Sequence, residues 1–162
     1  MYKYSNNQTM MPCEFFLPFG GKLNPENRWC KLASLIHWEE FEEKYVSNFK
    51  SIKVGHIAFS GRIALGSLII QNYKSLSDRQ TVEEIVENPY LQYFIGLTKF
   101  IDKAPFTPSL MVHFRKRLGK DIVNQIPEMI SKLVQKSRKD KPHGKIINSK
   151  NTEIVTNSVR EK

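Results

Sequence analysis

Between Ser60 and Tyr73 the chain carries Ile63, Ala64, Leu65, Leu68, Ile69 and Ile70, spread over most of the circumference of a helix that Ser60 can cap. A helix apolar nearly all round has no face to offer water, so the rest of the chain must bury it. At about 1.5–3 kcal/mol for each buried Leu or Ile, this segment organises the fold. Gly66 within it lowers helix propensity and predicts a close crossing by another helix.

The flanking segments read as helices able to cover such a rod. Asn24, Pro25 and Glu26 form a start signal, with Asn24 as cap and Pro25 at the first helical position, followed by an apolar face of Trp29, Leu32, Ala33 and Ile36. A short helix over 38–46 turns Trp38, Phe41 and Tyr45 inward and sets Glu39, Glu40, Glu42 and Glu43 outward. Ser77 and Gln80 form a capping box ahead of a Val82, Ile85 and Val86 stripe. Pro89 then breaks the chain after Asn88, and the very apolar run Tyr90, Leu91, Tyr93, Phe94, Ile95 and Leu97 is closed by Gly96. After a loop over 99–106, Thr107 caps a helix with Pro108 at its first position, and Leu110, Met111, Phe114 and Leu118 face the core. Gly119 ends or bends that helix. An amphipathic helix over 121–138 follows, with Ile122, Val123, Ile126, Met129, Ile130, Leu133 and Val134 inward and Pro127 implying a kink or a late start.

Alternation with period two is confined to a weak stretch at 53–59, so the expected fold is all-α. It is a compact multi-helix domain of six or seven helices with a helix-turn-helix-like segment. An irregular N-terminal arm, 1–23, offers Phe15, Phe16, Leu17 and Phe19 for packing; the helical body is 24–138; a flexible basic C-terminal tail, 139–162, ends the chain.

The formal charge of +9 is distributed unevenly. Residues 1–104 hold 12 Lys and Arg against 11 Asp and Glu, whereas residues 105–162 hold 13 against 5. A solvated basic tail would produce this asymmetry, but part of the excess falls inside a periodic segment. Cys13 and Cys30 make neither a disulfide framework nor a metal-ligand spacing. No apolar run approaches a membrane span and the first eleven residues do not read as a signal peptide, so a cytoplasmic protein without membrane contact is expected.

Signals for enzymatic chemistry are sparse: there is no phosphate-binding glycine loop, no nucleophile elbow and no metal-spaced histidine pair, and His37, His56, His113 and His143 are scattered singly. Neither a cofactor nor a metal is expected. What stands out is the front of the 107–119 helix. A DNA-reading helix needs side chains that reach base edges, flanking cations for phosphates and an apolar back that fixes it to a support. Here Ser109, His113 and Lys116 are candidates for base edges and Arg115, Arg117 and Lys120 for phosphates, although arginine also forks onto guanine where it points inward. Val112 shares the same front. Gln92 and Tyr93 are further candidates for phosphate contact, while the aromatics around them read mainly as core. Basic amphipathic helices also meet RNA, membranes and acidic proteins, so the wheel alone leaves the partner open.

Three ordered blocks narrow it: 76–85 (LSDRQTVEEI), 87–97 (ENPYLQYFIGL) and 108–118 (PSLMVHFRKRL). Together with Asn27-Arg28-Trp29, Leu35-Ile36-His37-Trp38 and the 62–70 segment, they closely resemble the InsH-type N-terminal domain of bacterial insertion-sequence transposases, over about residues 17–120. The resemblance implies a helical domain that recognises the terminal inverted repeats of its element as double-stranded DNA. It further implies a following ribonuclease H-like DDE domain, in which three acids hold divalent metal. Gly144-Lys145-Ile146-Ile147 resembles the strand before the first catalytic Asp, but Asn148 follows it. The expectation is therefore a truncated transposase without strand-transfer activity, able to occupy inverted repeats and inhibit intact copies. The rival expectation is a helical protein-interaction module that dimerises or associates with an intact transposase, through the arm or the 122–134 stripe.

Overall fold

The computed structural model describes residues 10–49 and 58–139. Seven α-helices account for the regular structure there: α1 (Arg28–Leu35), α2 (Trp38–Ser47), α3 (Gly61–Lys74), α4 (Asp78–Glu87), α5 (Pro89–Phe94), α6 (Leu110–Leu118) and α7 (Lys120–Lys139). The domain is all-α, with no strand among the described residues. The weak strand expectation at 53–59 lies largely outside them, as do residues 1–9 of the arm and all but Lys139 of the tail.

α3 is the central rod. Ala64, Leu65, Leu68, Ile69 and Ile70 are buried, and α2, α4, α6 and α7 all pack on it, while α1 lies against α5 and α7. Its N-terminus satisfies the amides that a helix start leaves open. Ser60 Oγ accepts from the Ile63 amide at 3.2 Å, and Ala64 donates to the Ser60 carbonyl. The Arg62 amide donates to Glu42 Oε2 at 3.0 Å.

Glu42 corrects the expected outward placement of that side chain, for it is 1% exposed. An acid on the apolar side of α2 meets the positive end of α3, and the unsatisfied amides there outweigh the ordinary preference of a carboxylate for water. The close approach demands Gly61, because a Cβ at that position would stand 2.7 Å from Glu42 Oε2 and 3.2 Å from Glu42 Cα. Gly66 fulfils the expected close crossing, with Ile95 at the end of α5 resting against it.

The same end of α5 shows why an arginine can sit in the core. Arg62 is 3% exposed, and its Nε and Nη2 donate to the Phe94 and Tyr93 carbonyls at 3.1 and 3.0 Å, where a helix C-terminus favours a cation. Its guanidinium also stands over the Trp38 ring at 4.9 Å. Burial lowers its pKa to about 10. Around this point Trp29 and Trp38 meet Phe94 edge-on at 5.1 and 5.4 Å.

The helix after Leu23 starts three residues later than expected. Asn24 Oδ1 accepts from the Glu26 amide to close a turn, and Asn27 caps α1 through the Trp29 amide at 2.9 Å. Pro25 and Glu26 form a turn and not the first turn of a helix, which displaces the cap from Asn24 to Asn27. Likewise Pro108 and Ser109 form a turn before α6, with the Leu110 amide donating to the Thr107 carbonyl. α7 runs unbroken through Pro127 instead of starting after it.

In the described part of the arm, two short 3-10 turns bring Phe15 into the core and leave Phe16 exposed, and Phe16 pairs by backbone with the loop at Thr98 and Phe100. Gln92 and Tyr93 are buried, which removes them as phosphate contacts. Gln92 instead staples the loop after α5, accepting from the Ile101 amide and donating to the Ile101 and Val86 carbonyls. The Tyr93 hydroxyl donates to the Met10 carbonyl at 2.8 Å, tying the arm down.

Candidate nucleic-acid interface

α6 has the alternation of faces that its sequence demands. Met111, Phe114 and Leu118 are buried, and Phe114 meets Phe106 edge-on at 5.1 Å. Ser109, Val112, His113, Lys116 and Lys120 are exposed. Val112 is 43% exposed, one of few large apolar side chains open to water among the described residues. The main supports of α6 are α3 and α7, with α2 touching its end, and residues 95–109 separate it from α5.

The two arginines on its edges turn toward those supports. Arg115 forks onto Asp78 at the start of α4, Nη1 to Oδ1 at 2.9 Å and Nη2 to Oδ2 at 2.7 Å. Gln71 of α3 closes the triangle, accepting from Arg115 Nη1 at 3.1 Å and donating to Asp78 Oδ1 at 2.7 Å. The Arg115 hydrogen bonds hold the Asp78 carboxyl below its ordinary pKa, and Asp78 raises that of Arg115 in turn. On the opposite edge the Arg117 guanidinium stands over the Phe49 ring at 4.6 Å, and Asn48 Nδ2 donates to the Arg117 carbonyl at 2.7 Å. Burial pushes the neighbouring Tyr45 hydroxyl above its ordinary pKa, an effect that Arg117 opposes.

Val112, His113 and Lys116 thus lie on the exposed side of α6, Ser109 is exposed in the turn before it and Lys120 is exposed at the start of α7, beyond the break at Gly119, whereas Arg115 and Arg117 are engaged within the fold. Sequence reasoning did not anticipate Asp78, Gln71 and Asn48 as partners of α6. As an acid in the first turn of α4, Asp78 suits the positive end of the helix, and nothing local to it points to an arginine 37 positions away.

Charge concentrates at the same place. From Leu110 to Lys139 there are eight Lys and Arg against two acids, so most of the C-terminal excess lies on α6 and α7 and not in the tail. No group of three His, Cys, Asp or Glu among the described residues could hold a metal ion. No helix among them is long and apolar enough to cross a membrane.

Residues 18–117 match the family described as Transposase domain (DUF772), well over half of the chain. The chain belongs to this transposase-domain family. It is also similar to a protein of Rhizobium meliloti described as uncharacterized protein ORF8 in the nfe locus, 36% identical over 97 residues, 60% of this chain. The match spans 46% of that relative's length, so the chain covers about half of it. No solved structure matches the chain. A transposition-related role follows from the family, and the matched region includes α6 up to Arg117.

Proposed function

We propose that these helices are the end-recognition module of an InsH-type transposase, binding the terminal inverted repeats of its element as double-stranded DNA. The observation that carries this reading is the front of α6, where Ser109, Val112, His113 and Lys116 form one exposed face between two anchored arginines. An outward helix face with polar groups for base edges and a valine able to meet a thymine methyl is what major-groove readout requires. Lys120, with the other cations of α7, supplies charge for phosphates. The work of this module is recognition of those ends.

Fluorescence anisotropy with a duplex from the element's own end and a scrambled duplex, at about 50 and 200 mM salt, tests this. Wild-type protein prefers the cognate duplex and loses affinity steeply with salt. His113→Ala and Lys116→Ala reduce the preference by about 5- to 100-fold, the range for one lost base contact. Equal binding of both duplexes by folded protein would overturn sequence recognition.

One observation favours a second reading. A groove of about 460 Å³ runs between the α1–α2 turn and α7, lined by Leu35, Phe41, Met129 and Leu133 among others. It suits association with a second copy or with an intact transposase, a contact that salt would barely weaken. Salt-insensitive self-association without duplex binding would favour it.

A further inference from the structure

Asp78 and Arg115 are each about a third exposed, at side-chain values of 30% and 34%. Pairs in that setting add little to stability, about 0–1 kcal/mol. Yet this one is bidentate, is closed by Gln71, and joins the end of α3, the start of α4 and the edge of α6. Such geometry fixes direction more than it supplies energy. The opposite edge of α6 is held independently, through Arg117 over Phe49 and Asn48 on the Arg117 carbonyl. Between them the two attachments determine how far α6 is rotated about its own axis. A rotation of about 20° carries side-chain atoms at the helix surface through about 2 Å. That is well beyond the tolerance of a hydrogen bond to a base edge.

We propose that Asp78 and Arg115 are a positioning pair that sets the rotation of α6 against the duplex, so that Arg115 acts on recognition through Asp78 and not by touching phosphate. The inference rests on the reading of α6 as the DNA-contacting helix. It assigns a role in recognition to an acid, a residue that by charge alone should oppose DNA binding.

That opposition provides the test. Asp78→Asn keeps the shape of the side chain and removes its negative charge. By net charge alone it should bind every duplex more tightly and keep its preference. The positioning role instead predicts that preference for the cognate over the scrambled duplex falls about tenfold, while affinity for the scrambled duplex holds or rises. Arg115→Gln loses preference to the same extent, leaves the salt slope on the scrambled duplex unchanged, and adds nothing to the loss when combined with Asp78→Asn. Lys120→Ala is the comparator for a phosphate contact and lowers the salt slope by about one. Circular dichroism on each variant checks that the helices persist. If Arg115→Gln lowers the slope by about one while Asp78→Asn keeps its preference, Arg115 is a phosphate ligand and the positioning role is overturned with the recognition reading intact. If the wild-type protein shows no preference between the duplexes, the recognition reading fails first and the positioning role falls with it.

Discussion

Two buried charged side chains, Arg62 and Glu42, illustrate how this core handles groups that prefer water. Arg62 answers the carbonyl end of α5 and Glu42 answers the amide end of α3, so each charge meets the helix terminus of opposite sign. Arg62→Ala leaves buried carbonyls without donors and is expected to cost about 3 kcal/mol, read as a lowered urea midpoint. Arg62→Lys recovers only part, because a point charge cannot fork onto two carbonyls and lie over the Trp38 ring as a plane does. Glu42 behaves differently with pH. Burial raises its carboxyl above the ordinary 4.5, and Oε1 has no hydrogen-bond partner among the described residues. A raised folded-state pKa means that its contribution is fully present below the ordinary value and is lost as pH rises through the folded-state value. Glu42→Gln should therefore shrink the fall in melting temperature between about pH 4 and pH 7, which thermal melts across that window would register.

Among the helices, two glycines matter for opposite reasons. Gly61→Ala forces a methyl against Glu42 in a space of 2.7 Å, and overpacking of this kind costs about 1–3 kcal/mol. Gly119, with φ of +84° and open space around it, meets no such obstacle. Gly119→Ala is expected to cost about 1–3 kcal/mol, from backbone strain alone, because φ of +84° with ψ of 156° is a region open essentially to glycine. Comparing the two by denaturation separates packing from conformation. The same contrast of near and far causes explains what could be read in advance. Ser60 at α3, the Ser77–Gln80 box at α4 and the Pro89 break before α5 were legible because each signal and its partner lie within a few residues. Asn24 misled because Pro25 and Glu26 after it mimic a helix start, whereas they form a turn and Asn27 is the cap. Glu42 inside, and Arg115 on Asp78, depend on partners 20 and 37 positions away, and helical periodicity carries no information about such pairs. The front of α6 was legible for the converse reason: Val112, His113 and Lys116 are exposed because Met111, Phe114 and Leu118, a few positions away on the same helix, take the buried side.

For the whole molecule, one apolar core runs from Phe15 in the arm to Ile126 in α7, with α3 at its centre. Because that core is continuous, unfolding followed by tryptophan fluorescence, from Trp29 and Trp38, and by far-ultraviolet circular dichroism should give one coincident transition. Separate midpoints would mean that the α7 end melts apart from the body. The joint between α6 and α7 is a single residue, Gly119. α7 has 20 residues, making it a rod about 30 Å long, and its far half has only partly buried apolar side chains. Ile126 is buried and α7 packs on α1, α3 and α6, so the near half of the rod is part of the body, and the angle at Gly119 sets the direction in which its cations are carried away from the front of α6.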